Sequence, residues 1–306
     1  MSALTETATT GSKIMRATSL SASARQLRRT RLLTTALLGL FLIYTIVPLL
    51  YLVISSTKTD EGLFSTFGLW FAPHFELFAN LDRLFTFEDG IFGRWLLNTA
   101  FYSITSAVGA TLLSAAAGYA FAKFRFKGRR ALFAITLGAI MIPQTALAIP
   151  LFLLMSKVGL VDTPWAIILP SLVNPFGVYL MRVYAEQSVP DELLEAARID
   201  GAGEASIFFS MVLRLLSPAL VTVLLLSFVS TWNNYFLPLV MLESNHLFPL
   251  TVGLATWYQN ASAGEGSQAL FTLVLTGSLV SIIPTGILFL TMQRFWQGGL
   301  AAGSVK

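Results

Sequence analysis

No cysteine occurs in the chain, so disulfide frameworks, thiolate metal clusters and thiol chemistry are excluded from the outset. Histidine is nearly as scarce: only His74 and His246 occur, far apart and both in expected loops, a poor pair for metal ligation. Charge is thin as well. Asp, Glu, Lys and Arg make up 12% of the 306 residues, against roughly 25% in soluble domains. Apolar residues fill the space, at 55% of the chain with a mean hydropathy of +0.71. Such a balance belongs to a chain solvated by lipid. Catalytic signatures are missing too: there is no GxxxxGK[ST] phosphate loop, no HExxH and no GxSxG. An enzyme reading therefore has no chemistry to stand on, and any ATP hydrolysis would belong to a separate subunit.

A bilayer core of roughly 30 Å needs about 20 apolar residues in helix. Six stretches qualify, at about 32–54, 95–121, 131–155, 165–185, 213–240 and 270–293. The expected fold class is thus an all-α integral membrane protein with six transmembrane helices. The first stretch exceeds the ~7–15 apolar residues of a signal-peptide core and lacks a convincing cleavage site after it, so it is expected to stay as an anchor. Ahead of it, residues 1–30 form a Ser/Thr/Ala-rich basic tail; residues 31–306 form the membrane domain.

The excess of Lys and Arg sets orientation. With the N-terminus inside, the basic residues of the tail, of 123–130, of 182–214 and of the C-terminus are cytoplasmic. Only Lys58, Arg83, Arg94 and Lys157, of 20 Lys and Arg, lie outside. The pI near 9.4 is then a topology signal, not a nucleic-acid patch. Both termini are expected in the cytoplasm.

Ionisable groups are nearly absent from the middles of the six stretches, where proton- or sodium-coupled carriers hold their coupling charge. The deep polar groups are neutral: Tyr102, Gln144, Asn174, Tyr179, Trp232, Asn233, Asn234 and Tyr235. Amides, hydroxyls and aromatic faces suit an uncharged polyhydroxylated solute. The path candidates are Asn174, Tyr179, Trp232, Asn233, Asn234 and Tyr235, with helix–helix amide bonding as the plainer alternative. Proline interrupts every stretch but the second, and such breaks persist in lipid only where neighbours or a wet cavity satisfy the freed backbone. The small-residue run TSAVGATLLSAAAG (105–118) reads as close helix packing.

One segment is polar: SVPDELLEAARIDGAGEASIFFSMVLR (188–214), overlapping the loop expected at 186–212. Ser188 with Asp191 matches a capping box, and Gly201 falls where a left-handed helix end belongs. Leu193, Leu194, Ala197 and Ile199 are expected on an apolar side, with Glu192 and Glu195 facing out. A second short helix is expected to follow Gly203.

LLEAARIDGAGEASIF (193–208) resembles the EAA–glycine loop of ABC importer permeases, the membrane subunits that dock on a separate ATPase. LLNTAFYSI (96–104), AGYAFAKFRFKGRR (117–130), MIPQTALAIPLFLLMSKVGLVDTPWAIILP (141–170), FVSTWNNYFLPLVML (228–242) and the ending from Leu275 are similar, in order and spacing, to the sugar-importer branch of maltose-permease type. The likeness covers about 30–306. It departs at Met211–Arg214, where the family commonly has Ile-x-Leu-Pro, and at Gly203, where a serine or threonine often caps.

The resemblance implies a type I ABC importer permease fold. It implies that Glu195, Ala196, Ala197, Asp200 and Gly201 belong to the coupling loop, and that Ala202, Ile207 and Phe208 seat in a cleft on the ATPase. It further implies a second permease forming a heterodimer, an ATPase dimer that binds the ATP and Mg, and an extracytoplasmic solute-binding protein; this chain itself would hold no cofactor. The loop 243–269 is expected to be pliant at Gly264 and Gly266 and to face the binding protein. A permease of another ABC branch and a membrane scaffold without a path are the competing readings.

Overall fold

The computed structural model describes the backbone of residues 3–264 and 269–302 and the side chains of 30–264 and 270–293. The basic tail before residue 30, Gly266, Arg294 and Lys306 lie outside the described side chains. Among the described residues every regular element is a helix. In chain order these are α1 Ala3–Ser56, α2 Asp60–Ser65, α3 Leu77–Thr86, α4 Ile91–Lys123, α5 Arg129–Ile140, α6 Gln144–Lys157, α7 Trp165–Ser171 and α8 Pro175–Ser188. There follow α9 Asp191–Ile199, α10 Glu204–Ile207, α11 Leu213–Leu215, α12 Ser217–Trp232, α13 Phe236–Met241, α14 Leu250–Ser262 and α15 Ala269–Ala302.

Among the described residues four helical stretches are long and apolar enough to cross a bilayer: Thr30–Ser56, Leu77–Lys123, Trp165–Ser188 and Leu270–Gln293. The number rises to six if each of two bent pairs is one crossing. The first pair is α5 and α6, bent by 109° just before Gln144. Here Met141–Pro143 break the helix, because proline lacks the amide proton that would continue it. The second pair, Glu204–Leu215 and α12, bends by 83° around Leu216. Pro218 sits in the first turn of α12, where no amide donor is required. A π-helical turn at Phe208–Val212 precedes that bend. The stretch expected at 213–240 is therefore divided: α12 stops at Trp232 and α13 is separate.

α4 is the axis of the bundle, packed along its length against α8 and α12. Its small residues make that possible. Ser103, Ser106, Ala107, Ala110, Thr111, Ser114, Ala115 and Gly118 are all buried. A Cβ on Gly118 would lie 2.5 Å from Cβ of Met181 and 2.7 Å from the backbone N of Arg182. One on Gly177 would lie 2.6 Å from Oγ of Ser114. The run 105–118 is thus packing, as its composition suggests.

Two ends of the bundle differ in construction. At one end Leu194 and Ala197 of α9 and Ile207 of α10 join Tyr119, Met181, Ala185, Val189, Val212 and Leu216 in one apolar cluster. At the opposite end Phe92, Trp95, Trp232, Leu250, Trp257 and Leu273 form another. By contrast, α1 leaves nearly all of its apolar surface from residue 30 onward uncovered.

At that opposite end the segment 243–250 is strapped across α4. Trp95 Nε1 donates to the Asn245 carbonyl (2.9 Å), Asn98 Nδ2 to those of His246 (2.8 Å) and Phe248 (3.1 Å), and Tyr102 Oη to that of Leu247 (2.9 Å). Thr99 Oγ1 accepts from the Leu250 amide (2.8 Å). The expected pliant loop over 243–269 is instead this strap and the helix α14, whose Leu250, Val252, Gly253, Trp257 and Ala261 are buried. Bulky apolar spacing at helical period, not loop composition, decides the matter. Gly264 does take a positive φ of 82° just past the end of α14.

Candidate coupling segment and solute path

The polar segment forms two short helices meeting at a glycine. Gly201 has φ +84°, and a Cβ built there would touch nothing within 4 Å. Only conformation restricts the position: a residue with a Cβ, asparagine and aspartate excepted, costs roughly 1–2 kcal/mol in that region. The Ala202 amide donates to the Ala197 carbonyl (3.0 Å) and the Gly201 amide to that of Arg198 (3.1 Å), closing α9 as a left-handed terminus does. Arg198 Nε then donates to Glu204 Oε1 at 2.6 Å, joining the last turn of α9 to the first of α10. The turn is braced from both sides.

α9 is also tied to α4. Lys123 Nζ lies 2.7 Å from Asp191 Oδ1, and this hydrogen bond and charge hold the Asp191 carboxyl below the usual carboxylate range. The expected capping box is not formed. Ser188 is the last residue of α8, Pro190 occupies the cap of α9, and no side chain caps it. Proline at the cap sets an extended backbone there, and Asp191 is drawn to Lys123 instead.

Glu195, Ala196, Asp200 and Gly201 face solvent, Ala202 and Phe208 are half-covered, and Ala197 is buried. Ile207 is fully buried (0% exposed) against the chain's own cluster. It therefore cannot seat in a partner's cleft as the resemblance implied. Ile199, expected on the inner side, is 86% exposed. The helical period explains the exchange. Ile199 lies four residues beyond Glu195, on the outward face, whereas Leu194 and Ala197 lie three apart on the inward one. Phe209, which sequence reasoning passed over, stands 64% exposed beside Phe208.

The path candidates are not all brought together. Trp232 and Asn233 line a cavity of about 190 Å³ with Leu250, Thr251, Leu254, Ser281, Ile282 and Thr285. Trp232 is nonetheless mostly buried, stacked on Phe228 at 5.3 Å, with Nε1 donating to the Ser281 carbonyl. Asn233 is exposed and donates from Nδ2 to the Val229 carbonyl (2.9 Å). Asn234 accepts from the Leu237 amide (3.3 Å), starting α13. Tyr235 is half-buried beside it. Asn174 is a joint: Oδ1 accepts from the Gly177 amide (2.8 Å) to begin α8, and Nδ2 donates to Ser227 Oγ of α12 (2.9 Å). Tyr179 lies away from that cavity, its ring stacked near Phe133 at 6.5 Å.

An all-helical bundle of bent, proline-broken helices around a small-residue axis, carrying an exposed two-helix projection, is the architecture of a membrane transport subunit. Residues 110–296 match the family described as the binding-protein-dependent transport system inner membrane component, and the chain belongs to that family. It is 39% identical over 262 residues to the arabinooligosaccharides transport system permease protein AraQ of Halalkalibacterium halodurans, covering 85% of this chain and 91% of that one. It is 32% identical over 275 residues to the lactose transport system permease protein LacG of Rhizobium radiobacter, covering 89% and 94%. Among solved structures it superposes with TM-score 0.77 and 27% identity on a chain of a bacterial ABC transporter involved in the import of the acidic polysaccharide alginate, covering 88% of this chain and 97% of that one. The fold is that of a type I ABC importer permease, and the chain is a transporter subunit, not an enzyme.

Proposed function

We propose that this chain is the permease of an ATP-driven importer for a neutral sugar or oligosaccharide. It forms the path with a second permease, receives solute from an extracytoplasmic binding protein, and leaves ATP and Mg to a separate ATPase dimer. Its termini and the segment 191–208 face the cytoplasm of a bacterial cell, and the strap 243–250 faces outward. The segment 191–208 couples the two processes. The observation that carries this reading is the braced Gly201 turn: a stiff projection whose outer face offers Glu195, Ala196, Ile199 and Asp200, while its inner face is anchored through Leu194 and Ile207 to α4, α8 and α12. A push on the outer face is thereby delivered to those three helices.

Neutrality of the solute is supported by the cavity beside Trp232, whose polar lining is Asn233, Thr251, Ser281 and Thr285 without a charge. The alginate transporter favours the second reading, an acidic solute. Uptake by the reconstituted complex separates them: a neutral oligosaccharide is carried and a uronate is not. The reverse preference would assign the acidic class. Gly201→Val should leave insertion unchanged and lower the melting temperature by only a few degrees, yet reduce uptake at least tenfold, because a β-branched residue is strained at φ +84° and shifts the turn. Full uptake in that variant would make the segment ordinary surface.

A further inference from the structure

At the same end of the bundle as the coupling segment, a second cavity of about 390 Å³ opens between α5 and α8. Its lining is Arg129, Arg130, Phe133, Ala134, Leu137 and Arg182. Three guanidinium groups therefore meet a wall that becomes wholly apolar one turn further along α5. Two of the three are already held in place. Arg182 lies 3.8 Å over the Phe133 ring and donates from Nε to Glu186 Oε1 at 2.9 Å. Arg129 reaches the Ala122 and Phe124 carbonyls, both at 3.4 Å, and comes within 3.8 Å of Glu186. Arg130 is exposed and makes no ion pair among the described residues. Glu186 thus pairs with only two of the three cations, and Arg125 and Lys127 stand exposed on the loop just before.

Beyond the arginines α5 turns an apolar, exposed surface outward at Leu132, Ile135, Leu137 and Ile140. We infer that this cavity is a binding site for an anionic phospholipid, its phosphate held by Arg129, Arg130 and Arg182 and an acyl chain laid along Phe133, Ala134 and Leu137. The charge excess calls for an anion, and the apolar wall calls for a hydrocarbon tail on that anion. A free phosphate would satisfy only the first, and a basic pocket between helices at a membrane boundary is the setting in which lipid headgroups are recognised. Because α5 rests mainly on α8, a lipid there would also hold these two helices together beside the segment 191–208.

The test titrates the full-length chain in detergent with dioleoyl phosphatidylglycerol or dioleoyl phosphatidylcholine and counts retained lipid by native mass spectrometry. Phosphatidylglycerol is expected to bind about tenfold more tightly, and Arg130→Gln to weaken it about fivefold, the equivalent of one lost cation at a lipid surface. Ala134→Trp fills the apolar wall without changing charge and should abolish the preference, with circular dichroism confirming unchanged helix content. Inorganic phosphate should fail to displace the lipid. Equal binding of the two lipids would overturn the site, as would displacement by phosphate alone or protection by an oligouronate. Unaltered preference in both variants would do the same.

Discussion

The strap across α4 and the polar two-helix segment at the other end of the bundle both connect long helices, yet they are secured in different ways. The strap is held by its backbone: side chains of α4 donate to the carbonyls of Asn245, His246, Leu247 and Phe248. Asp162, at φ +58°, completes it by accepting from the Glu243 and Ser244 amides (2.9 Å each) and from the Ser244 hydroxyl. The two-helix segment satisfies its backbone internally and is held from beneath by Leu194, Ala197 and Ile207 and by the Lys123–Asp191 pair. A stretch secured by its carbonyls presents little for a partner to read, whereas one seated on apolar pegs keeps its outer side chains free. Variants of the strap should therefore cost stability, and variants of the projection should cost mainly transport.

The sharpest way to break that contrast is Trp95→Ala. Trp95 is 1% exposed, packs on Trp257 with ring centroids 4.7 Å apart, and anchors Asn245 through its indole N–H. Truncation should cost about 3 kcal/mol or more, seen as a large fall in melting temperature in detergent. A near-normal melt would show that the strap is incidental.

Asp162→Asn is the intermediate case. Asparagine tolerates the left-handed backbone and its Oδ1 can still accept from the two amides, but its NH2 cannot accept from the Ser244 hydroxyl, so the charge and that bond are lost, for about 1–2 kcal/mol. Its hydrogen bonds, first that from the Ser244 hydroxyl, hold the Asp162 carboxyl below its ordinary value of 3.8. A depressed carboxylate contributes stability that is present above its unfolded pKa and lost as pH falls through the folded one. Acidification below about 4 should thus narrow the gap between wild type and variant, as read by melts across pH. A gap that widened on acidification would reverse the assignment.

Glu195→Lys should have the smallest effect on stability, within about 0.5 kcal/mol, because Glu195 is exposed on the outer face of α9. Uptake should nevertheless fall, and an acidic substitution on the ATPase should restore part of it. Melting as low as Trp95→Ala would erase the distinction between the two regions.

Composition and residue spacing alone settle much of this protein. A charge-poor, cysteine-free chain with long apolar stretches has to be a helical membrane protein, since lipid leaves backbone groups no partner but their own helix. The position of Gly201 likewise announces its positive φ, because the requirement is local to the turn. What needed the tertiary structure is anything set by contacts between residues far apart in sequence. Proline in 141–143 and near 216 signals breaks, but the 109° and 83° angles of the bends are visible only in the structure. Ile199 and Ile207 are alike in type; the helical period puts Ile199 on the face of Glu195, but which face turns inward is decided by the placement of α9 and α10 over α4 and α8. Asn174, Trp232 and Asn234 read equally well as lining a path or as joining helices. The partners of the first two side chains, Ser227 and Ser281, lie 53 and 49 positions away and meet them only in the folded bundle. Local sequence encodes conformational cost residue by residue, but a side chain's surroundings come into being only when distant segments meet.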